Sequence, residues 1–174
     1  YISTDGEKAL ERALTLLDAR PDTTPMLLTE TLIQLGDWFQ LKHQPEKALV
    51  YYRRAATVDQ SMSSPTPEAT AALTFPVRIY YPLPPLAMRN RQLSPEQIDE
   101  KFVSVEFTVT GNGDVQDAKV IEQNGTSRQA SEALQAIRAS RFRPKFVNGE
   151  PVATTGMTNR EVFRTRKESV DGGR

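Results

Sequence analysis

Apolar side chains in the N-terminal part of the chain recur at three- and four-residue intervals. Ala9, Leu10, Ala13, Leu14, Leu16 and Leu17 follow this rhythm within residues 6–19, which predicts an amphipathic helix capped by Asp5. Pro21 and Pro25 interrupt it. A second helix is predicted from Pro25 or Thr29 to Leu41, with Leu28, Leu32, Leu35 and Phe39 on one stripe. A third is predicted from Pro45 to Val58, with Ala48, Leu49, Tyr52, Ala55 and Ala56 facing inward and Pro45 at its start, where proline is tolerated. The tetrapeptide Glu-Lys-Ala-Leu occurs at 7–10 and again at 46–49, an offset of 39 residues in the range of helical repeats.

The rhythm then breaks. Residues 60–74 are rich in serine, threonine and proline and read as a linker between a helical region, 1–59, and a second domain, 75–166. Four prolines within 76–85 predict extended chain of polyproline II character. A short helical turn is predicted over 86–91, and Ser94 with Gln97 forms a capping-box pattern. From Phe102 to Thr110 the period becomes two: Val103, Val105, Phe107 and Val109 alternate with polar residues, the pattern of a half-buried strand. Gly111-Asn112-Gly113-Asp114 predicts a hairpin loop, followed by a strand over 115–122. Thr126 and Gln129 form a second capping box, ahead of a helix with Ala130, Ala133, Leu134 and Ile137 on one stripe. Over 141–147 Phe142, Pro144 and Phe146 alternate with Arg141, Arg143 and Lys145. Asn148–Pro151 reads as a turn, and a closing strand runs through Val152 to Phe163 or Arg164, ahead of a polar tail, 167–174. The expected class is α+β: an all-α helical region, then a small antiparallel sheet with one helix across a face.

Composition narrows the function. The 174 residues carry 22 basic and 22 acidic groups, so the basic excess of a nucleic-acid binder is missing. The single histidine, His43, and the lack of cysteine leave no visible metal-ligand set or nucleophile–base pair, so neither an enzyme nor a cofactor is expected. The glycine-rich loop at 111–114 lacks the following helix of a phosphate site and the acidic spacing of a calcium loop, so it reads as a turn. No stretch has the run of apolar residues that a membrane helix needs. Because the chain starts at Tyr1, an anchor or export signal upstream remains compatible with it.

Two resemblances follow from these residues. Leu35-Gly36, Phe39, Ala48, Tyr52 and Ala55 have the spacing of a tetratricopeptide repeat over Thr29–Asp59, with Gln60 where that repeat usually has proline. The series Val103-Ser-Val-Glu-Phe-Thr-Val, Gly113-Asp-Val115, Ala133-Leu134, Arg141-Phe142-Arg143-Pro144, Gly149-Glu-Pro-Val152 and Val162-Phe163 resembles the TonB C-terminal domain family. Tyr81-Pro82 is similar to the Tyr-Pro that precedes the first strand in that family.

The TonB resemblance implies a periplasmic binding module whose closing strand pairs with a segment of an outer-membrane transporter. The candidate edge is Gly156, Met157, Thr158, Asn159, Arg160, Glu161, Val162, Phe163 and Arg164. A basic set, Arg138, Arg141, Arg143 and Lys145, is a candidate partner contact, although a solvated face is the plainer reading. Two functions stay open. One is an energy-transducing adaptor that couples an inner-membrane motor to an outer-membrane partner through strand addition. The other is a periplasmic scaffold whose TonB-like domain docks or forms a homodimer without transmitting force.

Overall fold

A computed structural model of the chain describes residues 4–20, 22–61, 72–87 and 94–167. Most of the expected linker, residues 88–91 of the short helical turn expected over 86–91, and the tail beyond Lys167 lie outside the described residues. The chain forms two compact units that interleave in sequence. The first takes residues 1–80, 109–114 and 140–155, and the second takes 81–108, 115–139 and 156–174.

In the first unit three helices, α1 (Thr4–Asp18), α2 (Pro25–Leu41) and α3 (Pro45–Ser61), follow one another. Asp5 lies inside the first turn of α1, so it is not the cap expected from sequence. Helices α2 and α3 are joined by a turn in which His43 adopts a left-handed conformation (φ 57°). Its N–H donates to the Gln40 carbonyl, and Gln44 N–H donates to that of Phe39. Leu32, Leu35, Phe39, Ala48, Leu49, Tyr52, Ala55 and Ala56 are buried together, the stripes that the spacing predicts. Gly36 lets the helices meet: a Cβ there would lie 2.2 Å from the Tyr52 ring.

The same unit holds two small antiparallel strand pairs. Strand β1 (Val77–Tyr80) pairs with β4 (Arg141–Arg143), and β5 (Lys145–Val147) pairs with β6 (Glu150–Val152). One expectation is corrected here. Residues 77–80 are a strand and not polyproline II chain, because β4 supplies hydrogen-bond partners that sequence could not reveal. The run 141–147 is two strands, since Pro144 has no N–H to carry a ladder onward. Asn148 (φ 52°) and Gly149 (φ 82°) close the β5–β6 hairpin, and two positive φ values in succession are the geometry that favours Asn-Gly. Phe146 joins the helical core, edge-on to Tyr52 at 6.1 Å between ring centroids.

In the second unit a sheet of order β3-β2-β7 is built from β2 (Ile98–Val109), β3 (Val115–Gln123) and β7 (Thr154–Arg166), whose ends at Val109 and at Thr154 and Thr155 belong to the first unit. Helix α4 (Ser127–Arg138) lies along β3. It opens with the predicted capping box: Thr126 Oγ1 accepts from Gln129 N–H, and Gln129 Oε1 accepts from Thr126 N–H at 2.8 Å. Val103, Val105, Phe107, Ala133, Ile137 and Phe163 are buried. The closing strand begins at Thr154, after a break at Ala153, and does not run through Val152.

Candidate functional site

Strand β7 stands at one edge of its sheet, hydrogen-bonded to β2 alone among the described residues. Lys167 N–H donates to the Gln97 carbonyl at 2.9 Å, Thr165 Oγ1 donates to that of Asp99 at 3.0 Å, and Arg164 faces Glu100 at 3.3 Å. These contacts run in opposite sequence directions, so the two strands are antiparallel. Met157, Asn159, Glu161, Phe163 and Thr165 point to the less exposed side, while Thr158, Arg160, Val162, Arg164 and Arg166 are exposed. Phe163 is fully buried and fixes the strand by its apolar side chain.

Charge on the exposed side is partly satisfied within the unit. The Arg160 guanidinium sits 3.4 Å from the centroid of the Phe102 ring, a cation–π contact, and lies 3.7 Å from Glu122. Arg164 pairs with Glu100. Val162, by contrast, is 40% exposed between two arginines. Gly156 has φ 70°, and a Cβ built there would meet nothing within 4 Å, so the glycine serves backbone direction and not packing. Tyr81 Oη donates to Glu161 Oε2, which ties the Tyr-Pro segment to β7. A groove at this strand is lined by Ala87, Arg160, Glu161, Val162 and Arg164.

The four residues of the basic set have different surroundings. Arg143 is 8% exposed: its Nε and Nη2 fork onto Asp37 at 3.0 and 2.7 Å, and Nη1 donates to the Ala72 carbonyl at 2.9 Å. It is therefore not part of a solvated face. Burial works against its charge, but the Asp37 hydrogen bonds and carboxylate outweigh it and hold the guanidinium pKa above its ordinary value. Arg141 Nε donates to His43 Nδ1 at 3.2 Å, and its Nη1 lies 3.6 Å from Asp114. Lys145 is half-buried, and Arg138, in the second unit, is exposed and donates to the Ala118 carbonyl.

Sequence reasoning missed the network around Asp37. The carboxylate also accepts from Tyr52 Oη at 2.7 Å. One turn on, Gln40 Nε2 donates to the carbonyls of Asn112 at 2.6 Å and Phe142 at 2.8 Å. Phe142 N–H in turn donates to the Gly113 carbonyl at 2.9 Å. No local pattern marks such a network, because its members lie far apart in the chain. The one usable signal was a polar residue interrupting a buried helical face, which Gln40 is. Among the described residues no cluster of acidic or histidine side chains is arranged to hold a metal ion, and no helix is long and apolar enough to cross a membrane.

Residues 102–165 match the family described as Gram-negative bacterial TonB protein C-terminal. Among solved structures, the TonB2 protein of Vibrio anguillarum is 25% identical over 55% of this chain and 85% of its own, with a TM-score of 0.37. The TonB C-terminal domain of Pseudomonas aeruginosa is 24% identical over 54% of this chain and 88% of its own, with a TM-score of 0.35. No curated protein matches the chain.

Proposed function

We propose, from the match of residues 102–165 to the TonB C-terminal family, that this chain is the periplasmic, partner-binding part of a TonB-like energy transducer. In this reading β7 takes up an extended segment of an outer-membrane transport partner as an added strand, while the wider protein engages an inner-membrane motor. The observation that carries it is the position of β7 at the edge of the β3-β2-β7 sheet. An edge strand offers backbone N–H and C=O groups to an incoming strand, and alternating side chains select its sequence. Opposite Val162 an apolar residue is favoured, and opposite Arg160 and Arg166 acidic ones. Binding of this kind needs no catalytic group.

The test is capture from a solubilised envelope fraction by the chain and by Thr158→Pro, which removes one donor from the outer strand. Circular dichroism first establishes that the variant keeps its fold. The proposal expects an outer-membrane protein to be captured by the parent and lost with the variant. Identical captured sets would overturn strand addition. That outcome would favour the second reading, a periplasmic scaffold, which has its own support in an apolar groove on the helices lined by Ala13, Leu16, Leu17, Leu27 and Thr31.

A further inference from the structure

Residues 81–87 lie outside any helix or strand, yet they are fixed at both ends within the second unit. Pro82, Pro84 and Pro85 restrict the backbone, and Pro84 is fully buried. Leu86 N–H donates to Glu132 Oε2 of α4 at 2.9 Å, and the buried Ala87 lines the groove beside Arg160, Glu161, Val162 and Arg164. At the other end Tyr81 Oη donates to Glu161 Oε2. Glu161 is the one acidic residue in 156–166, a stretch that also carries Arg160, Arg164 and Arg166. It is half-buried, on the side of β7 opposite to the arginines. Among the described residues no strand lies beyond β7, so a long carboxylate side chain released at this position has an open edge over which to fold toward those guanidiniums.

We propose that Tyr81 is a positioning residue for partner binding: its hydroxyl holds the Glu161 carboxylate off the β7 edge and so keeps the edge arginines open to an acidic incoming strand. This rests on the strand-addition reading and adds to it a residue outside β7. Arg160 and Arg164 pair with Glu122 and Glu100, but these pairs are exposed. Exposed ion pairs contribute little, so a carboxylate on an incoming strand can join or replace them. A released Glu161 would compete for the same guanidiniums. Being tethered next to them, it would do so at a high effective concentration. Its folded-over side chain would also occupy the edge that the partner needs. The hydrogen bond from Tyr81 removes this competitor, and the proline-bearing segment anchored at Leu86 keeps the tyrosine in place.

The probe is a fluorescein-labelled peptide, Glu-Thr-Val-Thr-Val-Thr-Glu, titrated into the full chain and followed by anisotropy. It alternates as an added strand does and reads the same in both directions, so either strand orientation can be satisfied. The expected result is saturable binding to the parent that is lost with Thr158→Pro. Tyr81→Phe, which keeps the ring and the parent's circular dichroism, weakens it about tenfold. Adding Glu161→Gln to Tyr81→Phe removes the competing charge at constant size and restores affinity to within about twofold of the parent. A hydrogen bond that served only to stabilise the fold would not be rescued in this way, since glutamine cannot replace the missing hydroxyl. Tyr81→Phe that binds as the parent does, or a double variant that stays weak, would overturn this inference and leave strand addition standing. Parent binding that is absent, or indifferent to Thr158→Pro, would overturn strand addition itself and this inference with it.

Discussion

The carboxylate of Asp37 accepts hydrogen bonds from Tyr52 and from two nitrogens of Arg143, and all three side chains are wholly or largely removed from water. A forked arginine–carboxylate pair in such a setting is costly to break from one side, because the surviving charge stays buried. Asp37→Ala is expected to destabilise the protein by about 3 kcal/mol in urea denaturation, and Arg143→Met combined with Asp37→Leu by much less. Burial, then the Asp37 charge, pushes the Tyr52 phenol well above its ordinary value of 10.0. A tyrosine whose pKa is raised by folding contributes stability that is complete below the unfolded value and declines as pH rises past it. Stability measured at pH 9 and pH 11 should therefore fall more steeply in the parent than in Tyr52→Phe. Gly113 is a second residue fixed by its surroundings. Its φ is 83°, and a Cβ would lie 1.9 Å from Gln40 Nε2 and 2.0 Å from the Phe142 carbonyl oxygen. Gly113→Ala is expected to cost more than about 1 kcal/mol. The hairpin loop was legible as a turn in Gly111–Asp114, but the contact that makes this glycine necessary was not. It depends on Gln40, which sequence placed only on a helix.

At the level of elements, helices and the two long strands of the hairpin were the most legible parts, because their burial follows a single local period. The short strands β1, β5 and β6 were less so. Each has three or four residues, too few to display a period, and each is held by a partner that local sequence does not identify. The edge position of β7 could be anticipated from its family resemblance, whereas the pairing of its arginines with Glu100 and Glu122 could not. Helix α1 offers a pH-dependent test. The hydrogen bond from Lys42 on the turn after α2 holds the Glu7 carboxyl below its ordinary range, with burial acting in the opposite direction. A carboxylate whose pKa is lowered by folding stabilises above its unfolded value, and this contribution is lost as pH falls through the folded one. Acidification below the ordinary glutamate range should loosen α1 from α2. Trp38, the single tryptophan, lies against Gly6 of α1 and provides a fluorescence reporter. In Lys42→Met the acid-induced change in its emission should shift upward toward the ordinary glutamate range.

Across the whole molecule the chain passes between its two compact units at 80/81, 108/109, 114/115, 139/140 and 155/156. The first unit thus draws its core from the helices and from the β4–β6 segment together, with Phe146 among Leu32, Leu35 and Tyr52. A fragment 75–174 would leave Phe146 without that cover and Arg143 without Asp37. It is expected to melt at a lower temperature than the full chain, or to aggregate, in a thermal scan monitored by circular dichroism.

The Asp37–Arg143 fork also has a consequence for descent. A buried pair tolerates joint replacement far better than the loss of one member. Position 37 and position 143 are therefore expected to change together when sequences of this type diverge. A recombination event that brought in the strand segment without the helices would separate the two in a single step, so the helices and the β4–β6 segment are expected to have been inherited as one piece.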